Sequence, residues 1–380
     1  MALFTIDGNI QFITNLSRSL LIRPRVMVDV SRVDTTMCLF GRRYPYPIAF
    51  APSAMQKLAH PKGEESVALA AYKLGVNMSL SSQSTTSLED VAALMPTTPD
   101  GPERWFQLYM SENPELSIPL IERAASKLFP EDCENSADIP PDAGYTAVVV
   151  TVDTPILGNR LNERKTPLVL PSHLYLANYA TSAKTKTSSS GPSVERLLLD
   201  APTSAEANRV ATEAGGDLHS RAMTWTHTIS WLRKVTPMKV ILKGVMTEED
   251  AELAVEHGAD AIVVSNHGGR QLDSAPSTLE ALPSIADAVK GRIPILFDGG
   301  VRHGSDVFKA LALGADLVLV GRPVLWGMSY DGQKGVELAA NILERELSRT
   351  MTLAGAPDIA SIESSFLGVR KRDGFGIARL

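Results

Sequence analysis

From Pro47 onward, short apolar runs alternate with helix-length amphipathic stretches. The runs Pro47–Ala51, Asn77–Leu80, Arg104–Leu108, Ala147–Val152, Lys239–Leu242, Ala261–Val264, Pro294–Phe297 and Leu317–Val320 read as buried strands. Helical patterns lie between them at Gly63–Leu74, Leu88–Leu94, Pro114–Leu128, Thr247–His257, Ser305–Leu313 and Gly335–Leu353, with another starting near Trp225. Glu248-Glu249-Asp250 places negative charge in a first turn, where the helix dipole favours it. About eight such pairs predict an α/β fold with a parallel sheet, and eight units fit a closed (β/α)8 TIM barrel better than an open doubly wound sheet.

The pattern predicts one domain over residues 1–380, with a lead-in at 1–46 and a C-terminal tail at 354–380. One unit breaks the rhythm. A long insertion at 154–224 follows the fourth strand and contains the polar stretch Ser182-Ala183-Lys184-Thr185-Lys186-Thr187-Ser188-Ser189-Ser190. A loop of that length at a strand C-terminus reads first as a lid over the active face; a tolerated polar insertion is the other reading.

Polar residues gather where the strands end. Ala51-Pro52-Ser53, Ser81-Ser82-Gln83, Gln107-Leu108-Tyr109, Thr151-Val152-Asp153, Lys243-Gly244, Ser265-Asn266-His267, Asp298-Gly299-Gly300 and Gly321-Arg322 all occupy strand C-termini. A barrel places its active site on that face, built from the ends of many strands.

Composition narrows the function classes. The 380 residues are 44% hydrophobic with a formal net charge of -6, so no overall positive field attracts nucleic acid or anionic lipid. Cys38 and Cys133 lack metal-ligand spacing. With no signal-peptide pattern at Met1–Asp7 and no bilayer-length apolar stretch, the chain reads as soluble and intracellular, without a membrane partner.

Three clusters carry candidate chemistry. Gly299-Gly300-Val301-Arg302 and Gly321-Arg322-Pro323 follow the last two strands, where glycines, helix N-termini and guanidinium groups suit a phosphate. Either alone would read as a turn. Ser265-Asn266-His267-Gly268-Gly269-Arg270-Gln271-Leu272-Asp273 brings a base and a cation together, able to take a hydroxyl proton and hold a carboxylate. Asp153 either orients His267 or caps a loop. Lys243 suits a site that becomes anionic, and Arg160 is either a second carboxylate contact or a solvated loop residue.

These stretches, with Ile22-Arg23-Pro24-Arg25, Ala51-Pro52-Ser53-Ala54-Met55-Gln56-Lys57, Phe106-Gln107-Leu108-Tyr109 and Thr151-Val152-Asp153-Thr154-Pro155, resemble the FMN-dependent 2-hydroxy acid oxidases and dehydrogenases. This is the glycolate oxidase and L-lactate oxidase family, and the resemblance covers about Arg23 to Leu353. It implies that His267 is the active-site base with Asp153 its partner, and that Tyr109, Arg160 and Arg270 face substrate. It also implies that Pro52, Ser53, Ala54, Ser81, Gln107, Thr151, Lys243 and Ser265 contact the flavin ring system. Asp298, Gly299, Gly300, Arg302, Gly321 and Arg322 would hold the ribityl chain and phosphate. The implied reaction converts an L-2-hydroxy acid to the 2-oxo acid, with O2 reoxidising FMN and releasing hydrogen peroxide. The alternatives are a dehydrogenase passing electrons to a quinone or cytochrome, and an FMN-binding barrel with impaired catalysis. By family analogy a homo-oligomer, a tetramer or higher, is expected.

The sequence departs from the family pattern twice. No Tyr-Tyr-x-x-Gly-like stretch precedes Arg23, so the lead-in reads either as naturally shortened, with substrate binding weakened, or as an incomplete start. Gln83 stands where glycolate oxidases carry Trp, which places Gln83 among the substrate-binding candidates. Finally, Ala378-Arg379-Leu380 resembles a peroxisomal Ser-Lys-Leu address; cytosol is the alternative location.

Overall fold

The computed structural model describes residues 20–96, 98, 101–125, 143–158, 170–179, 219–370 and 377–379. Its strands are β1 (Leu20–Ile22), β2 (Met37–Leu39), β3 (Arg42–Tyr44), β4 (Ile48–Phe50), β5 (Met78–Ser81), β6 (Arg104–Leu108), β7 (Ala147–Thr151), β8 (Lys239–Val245), β9 (Ala261–Val264), β10 (Ile295–Phe297), β11 (Leu317–Val320), β12 (Leu367–Arg370) and β13 (Ile377–Arg379). The helices are α1 (Glu64–Leu74), α2 (Leu88–Leu94), α3 (Ile118–Ala125), α4 (Trp225–Val235), α5 (Glu248–Glu256), α6 (Thr278–Val289), α7 (Gly304–Ala312) and α8 (Arg322–Ala354).

Strands β4 to β11 pair in parallel and in sequence order, and β11 returns to β4 to close the barrel. The helices begin where their capping chemistry allows. Ser87 accepts the Asp90 N–H before α2, Thr247 accepts the Asp250 N–H before α5, and Ser277 with Glu280 forms a capping box before α6.

Two apolar layers result from the strand period of two. Ala49, Trp105, Ala147, Val149, Ile241, Ala261, Val263, Leu296, Leu317 and Leu319 fill the barrel, while their neighbours such as Val148, Val240, Ile262 and Val318 pack outward under the helices. The hairpin β2–β3 adds Met37, Leu39 and Tyr44 to the inner layer. The Tyr44 hydroxyl and Trp105 Nε1 both donate to buried Glu103, which also pairs with Arg42 at 3.0 Å. This end of the barrel is therefore plugged, and open chemistry is confined to the other.

The lead-in and the tail are more structured than a sequence pattern suggests. β12 pairs antiparallel with both β1 and β13, so residues from both ends of the described chain share one three-stranded sheet.

Candidate active site

The inward parity of each strand continues past its apolar segment into a polar one. Counting on by two from Trp105 gives Gln107 and Tyr109; from Val149, Thr151 and Asp153; from Ile241, Lys243; from Val263, Ser265; and from Leu296, Asp298. Ser81 and Ser79 stand in the same relation on β5, and Ala51, directly after β4, is packed against the inner layer. The alternation that fills the barrel with Val, Leu and Ala thus also aims the predicted site residues into its C-terminal mouth.

Hydrogen bonds join these residues across strands. Ser81 Oγ donates to Gln107 Oε1 at 3.2 Å, and Gln107 Nε2 donates to Thr151 Oγ1 at 3.0 Å. Opposite them, Lys243 Nζ donates to Ser265 Oγ at 2.8 Å and lies 3.3 Å from Asp298 Oδ2. Ser265 Oγ in turn accepts the His267 N–H at 3.1 Å.

His267 Nδ1 lies 3.0 Å from Asp153 Oδ1, and Thr154 Oγ1 donates to the same carboxylate oxygen at 2.9 Å. Gln271 Nε2 donates to the Asp153 carbonyl at 3.0 Å, which ties the two loops together. The His267 backbone has φ 58°, a left-handed conformation unusual for a residue with a side chain. Next to it, a Cβ on Gly268 would lie 2.6 Å from Arg322 Nη2, whose guanidinium donates to the Gly268 carbonyl at 2.9 Å.

The charges are set by burial and by one another. Burial holds His267 below the ordinary imidazole range; Asp153 opposes that, and Lys243 and Arg270 reinforce it. Burial pushes the Asp153 carboxyl up, but His267, Lys243 and Thr154 outweigh it and hold the carboxyl low. Burial disfavours charge on Lys243, yet Asp298, Asp153 and Tyr109 raise its pKa. Near neutral pH the site therefore holds a neutral imidazole, an ionised Asp153 and a charged Lys243.

At the far side of the mouth, Gly321 caps α8, so Arg322 opens that helix. Arg302 lies over the Trp326 ring at 4.3 Å, and its backbone N–H is taken by Asp306 Oδ2 at 3.0 Å, leaving the guanidinium as its polar offering. Gly299 and Gly300 both have positive φ, 102° and 76°.

A profile of FMN-dependent dehydrogenases matches residues 14–369. The chain belongs to this family. It is 41% identical over 347 residues to an L-lactate oxidase from a Nostoc species, covering 91% of this chain and 86% of that protein. It is 38% identical over 353 residues to the glycolate oxidase of Spinacia oleracea, covering 93% of this chain and 85% of that protein. Among solved structures, a mandelate oxidase variant with (S)-mandelic acid superposes with a TM-score of 0.75 at 34% identity, covering 94% of this chain and 88% of that one.

As a family member the protein uses FMN, and its own residues fit the cofactor. Asp298 Oδ1 is buried with no hydrogen-bond partner among the described residues, an acceptor suited to a ribityl hydroxyl. The glycines and the arginines Arg302 and Arg322 around it match a phosphate.

Of the residues singled out in sequence, Arg160 lies outside the described residues, as do positions 159–169 and 180–218 of the insertion and Leu380. Cys133 is also outside the described residues, Cys38 lies in β2 and Ala378 and Arg379 lie in β13, whereas the other candidate site residues lie in or after the C-terminal ends of the barrel strands. Sequence reasoning missed Glu64. Its buried carboxylate accepts from Gln56 N at 3.0 Å, Thr85 N at 2.9 Å, Thr85 Oγ1 at 2.8 Å and Thr86 Oγ1 at 3.0 Å. It thereby clamps the loop after β4 to the loop after β5. The only signal was an acid in the first turn of α1, which ordinary helix-dipole chemistry already explains.

Proposed function

We propose that this protein oxidises an L-2-hydroxy acid to the 2-oxo acid, with O2 as electron acceptor and hydrogen peroxide as product. The 3.0 Å contact between Asp153 and a buried, neutral His267 carries the reading, because it pairs a base with the group that stabilises its protonated form. FMN, when bound, would supply a two-electron acceptor for the substrate C2 that oxygen can reoxidise.

The chain supplies the rest. Arg270 and Tyr109 grip the carboxylate, with Arg160 as a second cation, and set the hydroxyl towards His267. His267 Nε2 takes the hydroxyl proton; Nδ1–H faces Asp153, which fixes the tautomer and compensates the imidazolium as it forms. Lys243 would keep positive charge beside the flavin. Pro52, Ser53, Ala54, Ser81, Gln107, Thr151 and Ser265 would seat the ring system, and Asp298, Gly299, Gly300, Arg302, Gly321 and Arg322 would hold the ribityl chain and phosphate. Gln83 borders the substrate and bears on its size.

The test is the visible flavin spectrum, recorded without oxygen before and after glycolate, L-lactate and (S)-mandelate. Bleaching by at least one acid, with peroxide formed on admitting air, is the expected result. Bleaching that air does not reverse would point to a different acceptor, and no bleaching by any 2-hydroxy acid would contradict the reading.

Two further properties belong to the same proposal. The chain assembles as a tetramer or larger homo-oligomer, which light scattering measures. It is delivered to peroxisomes through Ala378-Arg379-Leu380. Because Ala378 and Arg379 pair with β12, delivery requires β13 to release, and a fluorescent fusion with and without the last three residues tests it.

A further inference from the structure

His219 is only 3% exposed, and its imidazole meets the Tyr109 ring at 4.5 Å between centroids with planes inclined by 69°. This is the close, edge-to-face arrangement that aromatic rings prefer. The partners come from distant parts of the chain: Tyr109 directly follows β6, while His219 lies at the end of the long insertion, just before α4. The backbone fixes the contact. Ser220 N donates to the Met110 carbonyl at 2.7 Å, so the residues following each ring are stitched together. The Tyr109 phenol also interacts electrostatically with Lys243, which lies in the same barrel mouth.

A tyrosine hydroxyl sits at the end of two rotatable bonds, and a small swing of the ring displaces it from a substrate oxygen. A buried flat group against the ring removes that freedom. We propose that His219 is a positioning residue that locks the Tyr109 ring in the orientation from which its hydroxyl binds the substrate carboxylate. This rests on the reading, made above, that Tyr109 faces substrate. It also gives the end of the insertion a part in the site through packing alone.

A double-mutant cycle on the FMN-loaded enzyme tests it, with kcat, KM and thermal midpoint measured for wild type, Tyr109→Phe, His219→Ala and the double variant. The expected result is that His219→Ala lowers kcat/KM about three- to tenfold, mainly through KM, and that His219→Phe, which restores a flat ring, recovers most of it. In the Tyr109→Phe background the same alanine substitution should cost less than about twofold, because no hydroxyl remains to be positioned. An equal cost in both backgrounds would make His219 a packing residue only and overturn the proposal, as would wild-type kinetics in His219→Ala. If Tyr109→Phe is itself without effect, the reading of Tyr109 falls and the proposal with it. Should the alanine protein fail to hold FMN, His219→Leu, which fills the space without a ring, completes the same cycle.

Discussion

A Cβ on Gly244 would stand 2.6 Å from the Cβ of Asp153, so the carboxylate that faces His267 owes its position to a neighbouring strand without a side chain. Gly244 has φ 115° and sits where β8 slips register against β9 between Lys243 and Val245. The irregularity lets adjacent strands bring Asp153 and Lys243 into one mouth without collision.

Gly244→Ala must therefore displace Asp153 and strain its own backbone. The expected outcome is a loss of about 1–3 kcal/mol in stability together with a fall in kcat. Thermal unfolding and steady-state kinetics check it, and a variant with normal kcat would show that Asp153 needs no such fixed place.

The depressed pKa of His267 sets the acid limb of the pH profile. Only neutral imidazole accepts a proton, so kcat/KM should hold as pH falls through about 6.5, the ordinary histidine value, and decline only below it. Asp153 raises the His267 pKa, so Asp153→Asn should move that limb to still lower pH while lowering the plateau. The same shift links to stability: the unfolded chain protonates first, so folding weakens as pH drops below about 6.5 towards the lowered native value. A limb that moves upward in Asp153→Asn would reverse the assigned electrostatics.

Glu64→Ala would strand buried donors at Gln56, Thr85 and Thr86. The expected cost is about 3–5 kcal/mol of stability, with weaker FMN retention because the joined loops also carry Pro52–Ala54 and Ser81–Gln83. Glu64→Gln, which keeps an acceptor, should lose less of both. Fluorescence titration of the apoprotein with FMN measures the retention.

Gln83→Trp should shift selectivity towards the smallest acid, lowering kcat/KM for (S)-mandelate relative to glycolate, since an indole replaces a shorter side chain in the loop after β5. An unchanged ratio would remove Gln83 from the substrate's surroundings.

The sequence pattern located the barrel closely where strands are buried on both faces. Arg104–Leu108 coincides with β6, and Ala261–Val264 and Leu317–Val320 coincide with β9 and β11 because those two strands are short continuous apolar runs. It missed α6, whose capping box is legible in Ser277 and Glu280 but whose interior carries Pro283. It caught only the second half of α8, since Asp331 and Gly332 leave helical geometry midway. The sheet of β1, β12 and β13 joins three- and four-residue strands from opposite ends of the chain, which no local period can reveal. The site was legible because polar residues in a barrel strand are costly unless they serve the mouth; Glu64 was not, because its partners are backbone and hydroxyl donors without a motif.

In the proposed reaction a buried, neutral His267 removes the substrate's proton. The most direct measurement is the rate of anaerobic flavin bleaching in His267→Ala, loaded with FMN and mixed with the acid that reduces the wild type. The expected result is an unaltered flavin content and bleaching slowed by about 10²- to 10⁴-fold. Bleaching at the wild-type rate would contradict it.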